Sequence, residues 1–343
     1  MSSIDSLSSP NELVRINDCG LYCQVGDFYI DPWRPVERAL ITHGHSDHAR
    51  PGSRAYLAHS HCQGILRLRL GEDATIETIE YGRKINIGGV TVSFHPAGHI
   101  LGSAQIRLEY GGRVWVVSGD YKTQSDPTCE PIEVIACDTF ITESTFALPI
   151  YNFPEPELVY SQINEWWQAN KEAGKISMLF AYSLGKAQRL MAGLADIGPI
   201  YCHGAVEAIN QVYRGCGVKL PVTNDLNSDK KELAAQGALI LAPPSSQDSV
   251  WARKFAPLSQ AFASGWMAVR GSRRRRALDR GFVMSDHADW RGLLSVIKAS
   301  GAQRVLVTHG FSPPLIRYLG EQGLSAANLE TAYGGQELSE QGI

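Results

Sequence analysis

Short apolar runs set the rhythm of the first half of the chain. Phe28-Tyr29-Ile30 stops at Asp31-Pro32, Ala39-Leu40-Ile41 runs into a polar loop, and Val90 to Phe94 alternates. Arg113-Val114-Trp115-Val116-Val117 is apolar almost throughout, and Thr139-Phe140-Ile141 follows. Alternation predicts strands with one buried face, and a continuous run predicts a central strand covered on both. Near residue 150 the period lengthens. After Pro149, Pro154 and Pro156, residues Leu158, Val159, Ile163, Trp166 and Trp167 share a helical face up to about Ala173, where Gly174 stops the helix. Ile176 to Phe180 and Ala238 to Ala242 read as buried strands, and helical patterns open at Gly185 and run on towards Tyr213. Strands and helices taking turns imply a parallel sheet. Phe282-Val283-Met284 then reads as a strand leading back to the first unit. Asp289 caps a helix from Trp290 to Lys298 carrying Leu293, Leu294 and Ile297, and Arg304 to Thr308 is a last strand. The expected division is 1–150, an inserted α/β domain at 151–281, and a returning segment at 282–343.

The bulk composition removes several classes. With 343 residues, 44% hydrophobic and 20% charged, the chain is ordinary globular material. A net charge of -3 gives no global field towards nucleic acid, so a basic surface must be local. Arg270 and the run Arg273-Arg274-Arg275-Arg276 are such a patch. Seven cysteines with no C-x-x-C pair predict neither a disulfide framework nor a thiolate zinc site, and a reducing cytoplasm fits. Residues 1–10 are Ser-rich without the basic start and apolar core of a signal peptide. No apolar run reaches the roughly 20 residues that a membrane span needs, so no membrane partner is expected.

The chemistry-bearing residues fall where these strands end. His43-Gly44-His45-Ser46-Asp47-His48 follows the Ala39-Leu40-Ile41 run. Leaving a strand in extended form, His43 and His45 point the same way, and Asp47 and His48 must point elsewhere. One loop can offer two ligands to one metal and two to its neighbour. Imidazole nitrogen and carboxylate oxygen suit zinc and related metals. Asp31, just upstream, can take the other ring N–H of a ligand histidine. His99 follows the strand at Val90, Asp120 ends the Arg113–Val117 run, and Glu143 lies in Thr142-Glu143-Ser144-Thr145. His287 and His309 stand at two later strand ends. A charge at the end of a buried strand is costly unless it is paired, and a bridging metal offsets that cost. A two-layer sheet with one busy edge is the expected setting.

With H-x-H-x-D-H, A-G-H-x-L-G and S-G-D in that order, the chain resembles the metallo-β-lactamase fold, a four-layer αββα arrangement. T-E-S-T before the insert, with S-D-H and T-H-G after it, resembles the β-CASP nuclease branch. Phe180 to Gln188 is similar to the F-A-x-G-R-A-Q stretch of messenger-RNA 3′-end endonucleases, with Lys186 at the arginine position. Ala263 to Trp290 resembles bacterial exonucleases associated with a DNA ligase and an Lhr-type helicase. Seven motifs appear in order, from about residue 13 onward. The resemblance implies two divalent metals, zinc or else manganese. One takes His43, His45, His99 and Asp120; the other takes Asp47, His48, His309 and the bridging Asp120. Asp31 supports the ligands. Asp47, Asp120, Glu143 and His287 form the catalytic set, in which activated hydroxide attacks phosphorus and His287, oriented by Glu143, is the general acid.

Lys186, Arg270 and Arg273 to Arg276 are the expected nucleic-acid contacts. DNA is favoured over RNA as the partner, with a DNA ligase and a helicase in the same repair system. A ribonuclease is the competing reading, since His309 stands where many DNA enzymes of the branch carry valine. A small-molecule metallohydrolase is disfavoured by the large insert. A non-catalytic subunit is disfavoured because every ligand position is filled.

Overall fold

The computed structural model describes residues 12–224, 226, 229–269 and 279–333. These form three sheets of six, seven and six strands. In the first sheet, spatial order follows chain order: Arg15–Asn17, Gly20–Cys23, Phe28–Ile30, Arg38–Leu40, Ala55–His59 and Ile76–Ile79. The second runs Ser325–Asn328, Arg304–Gly310, Thr139–Ser144, Arg113–Val117, Ala104–Tyr110, Val90–Pro96 and Ile85–Ile87.

Side-chain alternation decides how these two sheets stack. Phe28, Ile30 and Leu40 of the first meet Val92, Phe94, Ile106, Trp115 and Val117 of the second in one core. Residues of the opposite parity, among them Val116, Phe140, Val305 and Val307, face the helices Trp290–Ser300 and Pro313–Glu321. On the far side, Ala39, Tyr56 and Ala58 pack with Leu66 of the helix Gln63–Leu70. The layers are therefore helix, sheet, sheet, helix, the order that the resemblance implies.

The third sheet lies in the insert. Its order is Thr223–Asn224, Ile200–Cys202, Leu239–Ala242, Ile176–Phe180, Leu258–Ala263 and Arg280–Phe282, with every neighbouring pair parallel. Ile176–Phe180 is buried at all five positions, as a strand covered on both faces must be. Leu179, Leu239 and Ala261 face Val159, Ile163, Trp167 and Leu190. Met178, Ile240 and Phe262 face Leu233, Phe255 and Met267 on the other side.

Two expectations change. Leu158 is 54% exposed, although it was expected on the apolar face of the helix Pro156–Glu172. It sits about 100° from Val159, off the stripe that Val159, Ile163 and Trp167 define. The strand expected to lead back at Phe282 is instead Arg280–Phe282, paired with Leu258–Ala263 at the edge of the third sheet. Phe282 is buried in the core of the insert, because apolar packing outranks chain position.

The insert is seated on the first unit through a small apolar seam. Ile65, Ile100 and Leu101 meet Leu184, Ile209 and Tyr213, and the Leu101 N–H donates to the Tyr213 hydroxyl at 3.2 Å. Among the described residues, no helix is long and apolar enough to cross a membrane.

Trp167 is fully buried, and its indole N–H donates to the Gly237 carbonyl at 2.8 Å. Trp167→Ala is expected to cost about 3–5 kcal/mol, read as a shifted urea midpoint for the insert. A shift worth under about 1 kcal/mol would mean that this packing is not a main support of the insert.

Candidate metal centre

The site forms where the two stacked sheets end and the insert is seated. Asp31 is its anchor. Its backbone is left-handed, with φ of 44°, a conformation that Asp tolerates better than most residues. One carboxylate oxygen accepts from the Thr42 N–H at 2.8 Å. The other accepts from the Thr42 hydroxyl at 2.5 Å and from His48 Nδ1–H at 2.8 Å. Two glycines permit the close approaches. A Cβ on Gly119 (φ 56°) would lie 2.7 Å from the Thr42 Cβ, and one on Gly98 (φ 74°) 2.6 Å from the Lys122 carbonyl. They allow Asp120 and His99 to turn inward.

These hydrogen bonds fix which ring nitrogen each histidine presents. His43 Nδ1 lies 3.0 Å from the Thr42 hydroxyl, leaving Nε2 directed at Asp120, 3.4 Å away. His48 presents Nε2, 3.5 Å from the same Asp120 oxygen. His99 Nδ1–H donates to the Asp286 carbonyl at 2.7 Å, and His45 Nε2–H to the Leu184 carbonyl at 3.2 Å. His99 Nε2 and His45 Nδ1 are then lone pairs 3.0 Å apart. Two facing lone pairs repel unless a cation lies against both.

Two groups of candidate ligands result. His43, His45, His99 and Asp120 converge in one, and Asp47, His48 and His309 in the other, their ligand atoms within 4.8 Å of one another. Asp120 touches both: its other oxygen is 3.4 Å from His309 Nδ1, and Asp47 is 3.6 Å from His309 Nε2. His43 Nε2, His48 Nε2, Asp47 Oδ1 and Asp120 Oδ1 are buried without a hydrogen-bond partner. Buried polar atoms are rarely left so. The donor set and these atoms fit divalent cations, which these buried His and Asp groups could bind.

The charge balance points the same way. Burial alone would raise the Asp120 carboxyl, but His48, His309, His43 and His287 outweigh it and hold it well below its ordinary value. Burial would likewise raise Asp47, and His48 and His309 bring it down. Burial lowers His43, His45 and His99, keeping them neutral. At His48 burial also works downward, yet Asp120, Asp47 and Asp31 prevail and push it up to about 9. Carboxylates crowd this end, and the His48 proton answers them. A bound cation would displace that proton.

A second pair stands beside Asp120. Glu143 Oε2 accepts from His287 Nδ1–H at 2.9 Å, and its other oxygen accepts from the Tyr121 N–H at 2.7 Å. Asp120, Glu143 and His287 form a cluster of their own. Thr145, part of the T-E-S-T motif but given no role of its own from the sequence, places its hydroxyl 3.3 Å from Nδ1 of both His287 and His309. His309 is held in left-handed backbone at φ 56°, which costs about 1–3 kcal/mol for a residue other than glycine.

The insert closes the site. A pocket over the candidate ligands is lined by His45, Asp120 and His309 on one side and by Tyr182, Lys186 and Trp266 on the other. Lys186 is buried, 3.9 Å from Asp286, with its ammonium over the Tyr182 ring. Behind His99 lie two further buried cations. Lys122 donates to the His99 carbonyl at 3.0 Å and to Asp126 at 2.6 Å. Arg189 donates to the Ser285 carbonyl at 2.6 Å and lies 3.8 Å from both Asp126 and Asp286. Neither was expected, because Lys and Arg ordinarily signal surface. Arg270 and Arg273 to Arg276 lie outside the described residues.

No protein-family model matches the chain. It is 30% identical over 310 residues to a probable DNA ligase of Opitutus terrae, covering 90% of this chain and 30% of that protein. It is 25% identical over 228 residues to an RNase J-like protein of Methanocaldococcus jannaschii, covering 57% of this chain and 54% of the relative. It is 32% identical over 127 residues to endoribonuclease YSH1 of Candida glabrata, covering 34% and 15%. The chain thus spans less than two thirds of the length of each relative. The fold is the four-layer metallo-β-lactamase fold with an inserted β-CASP domain. The RNase J-like and endoribonuclease relatives indicate the metallo-β-lactamase/β-CASP nuclease family.

The metal-free protein is expected to take up about two divalent ions per chain, counted by elemental analysis after dialysis against zinc. His45→Ala should lose one and His309→Ala the other. Loss of both ions in each variant, or of neither, would refute two separable groups.

Proposed function

We propose that the chain is a metal-dependent nuclease, and specifically a DNA exonuclease acting on single-stranded ends in repair. The observation that carries the reading is Asp120, in contact with both ligand groups and flanked by the His287–Glu143 pair. When bound, two divalent ions, zinc or else manganese, would supply Lewis acidity to a water molecule and to the phosphate oxygens. His43, His45 and His99 would hold one ion, Asp47, His48 and His309 the other, and Asp120 both. Asp31 fixes the His48 tautomer.

Proton transfer falls to this chain's own residues. Glu143 accepts the Nδ1–H of His287 and stabilises the imidazolium, so Nε2–H can protonate the departing oxygen. Glu143 and His287 are therefore assigned to the leaving group. Lys186, on the cavity wall, supplies positive charge for a phosphate. The insert opposite the metal groups makes a cleft that suits a flexible single strand better than a stiff duplex.

The likeness over 90% of this chain to a probable DNA ligase supports DNA; a DNA ligase and a helicase as partners rest on the sequence resemblance alone. The ribonuclease reading is supported by His309 at the last motif and by the RNase J-like and endoribonuclease relatives.

End-labelled single-stranded DNA, duplex DNA and RNA of one sequence are to be digested side by side. Single-stranded DNA should shorten fastest, from an end. RNA cut while DNA stays intact would establish the ribonuclease reading instead. Asp120→Asn is expected to abolish hydrolysis with an unchanged circular dichroism spectrum, and full activity would refute its bridging role. His287→Ala should slow turnover by about 100-fold or more while retaining both metals. An unchanged rate would remove His287 from proton transfer.

A further inference from the structure

Beyond the last strand, Ser325–Asn328, the chain does not turn away from the site. The Leu329 N–H donates to the Val307 carbonyl at 2.8 Å, and residues 330–333 then cross to the loop that carries the first histidines. Arg50 of that loop donates to the Ala332 carbonyl at 3.0 Å. Tyr333 follows, and its ring stacks on His48 with centroids 4.5 Å apart and planes at 15°. Its edge contacts are Trp33 at 5.7 Å and His309 at 6.0 Å. Its hydroxyl donates to the Asp31 carbonyl at 3.1 Å and lies 3.5 Å from the Ile30 carbonyl.

These contacts converge on one ligand. An imidazole is fixed by its edge and by its face. Asp31 holds the edge of His48 through Nδ1, and Tyr333 covers the face. The same tyrosine grips the peptide of Asp31, the residue whose left-handed backbone aims its carboxylate at His48. Among the described residues, the rings against His43, His45 and His99 are other histidines, and their hydrogen-bonding supports are Thr42 and the carbonyls of Leu184 and Asp286.

We propose that Tyr333 is a positioning residue for the ligand group Asp47, His48 and His309, and that the group His43, His45, His99 stands without it. The proposal rests on the two-metal reading. It makes the far end of the described chain a clamp on one of the two divalent ions, so the two sites differ in how they are built. Supports of this kind typically change metal affinity by about 10–100-fold when removed.

The test titrates the full-length metal-free protein with cobalt against a competing chelator, for wild type, Tyr333→Leu and Tyr333→Phe. Wild type should fill in two steps. Tyr333→Leu should weaken one step by about tenfold or more and leave the other unchanged. Tyr333→Phe, which keeps the ring and loses only the hydroxyl clasp, should shift the same step in the same direction by less. Equal shifts in both steps, or none in either variant, would overturn the clamp. If Tyr333→Leu is unfolded by circular dichroism, Tyr333→Phe decides by the same criterion. A wild-type protein that does not fill in two steps fails the two-metal reading itself, which separates that failure from failure of the clamp.

Discussion

The structure depends on keeping one buried carboxylate ionised. Asp120 is buried, and a buried charge is tolerated only when it is paired and hydrogen-bonded. Four imidazoles answer it, from the opening loop, from the His309 strand and from the segment after the insert. They must arrive from three different parts of the chain at one point in space. Two stacked sheets achieve this because their strands end along one edge. The core beneath them, with Phe28, Phe94, Trp115 and Val117, makes that edge rigid.

Much of this was legible in the sequence, for a physical reason. A charged or ligating side chain straight after an apolar run contradicts the local pattern, and such contradictions cluster at functional sites. His43, His45, Asp47, His48, His99, Asp120, Glu143, His287 and His309 all carry that mark, and the structure brings them together. The strands followed from period-two and continuous runs, the four-layer order from the family resemblance, and the insert from strands taking turns with helices.

What stayed hidden has no side-chain signature or carries a misleading one. The carbonyls of Leu184 and Asp286 fix two tautomers, but any residue could supply a carbonyl. Lys122 and Arg189 look like surface cations and are buried ion-pair partners. Lys186 was expected at a phosphate, and in the structure it also faces Asp286 from within the cavity wall. Tyr333 lies 285 positions from His48 in sequence (333 minus 48), and no local period could connect them. The returning strand was misplaced at Phe282 because adjacency along the chain was the only guide to which sheet it joins.

The two carbonyls that orient His45 and His99 carry a further consequence. One of them, from Leu184, lies in the insert, so the seam between the insert and the first unit holds the His45 tautomer as well as apolar side chains. Parting it takes the acceptor away from the His45 ring N–H and loosens the tautomer that presents Nδ1 to the site. Docking of the insert and the orientation of a candidate ligand thus draw on the same contact. A cation held by His45 would therefore resist movement of the insert, and movement of the insert would weaken its hold to the same extent.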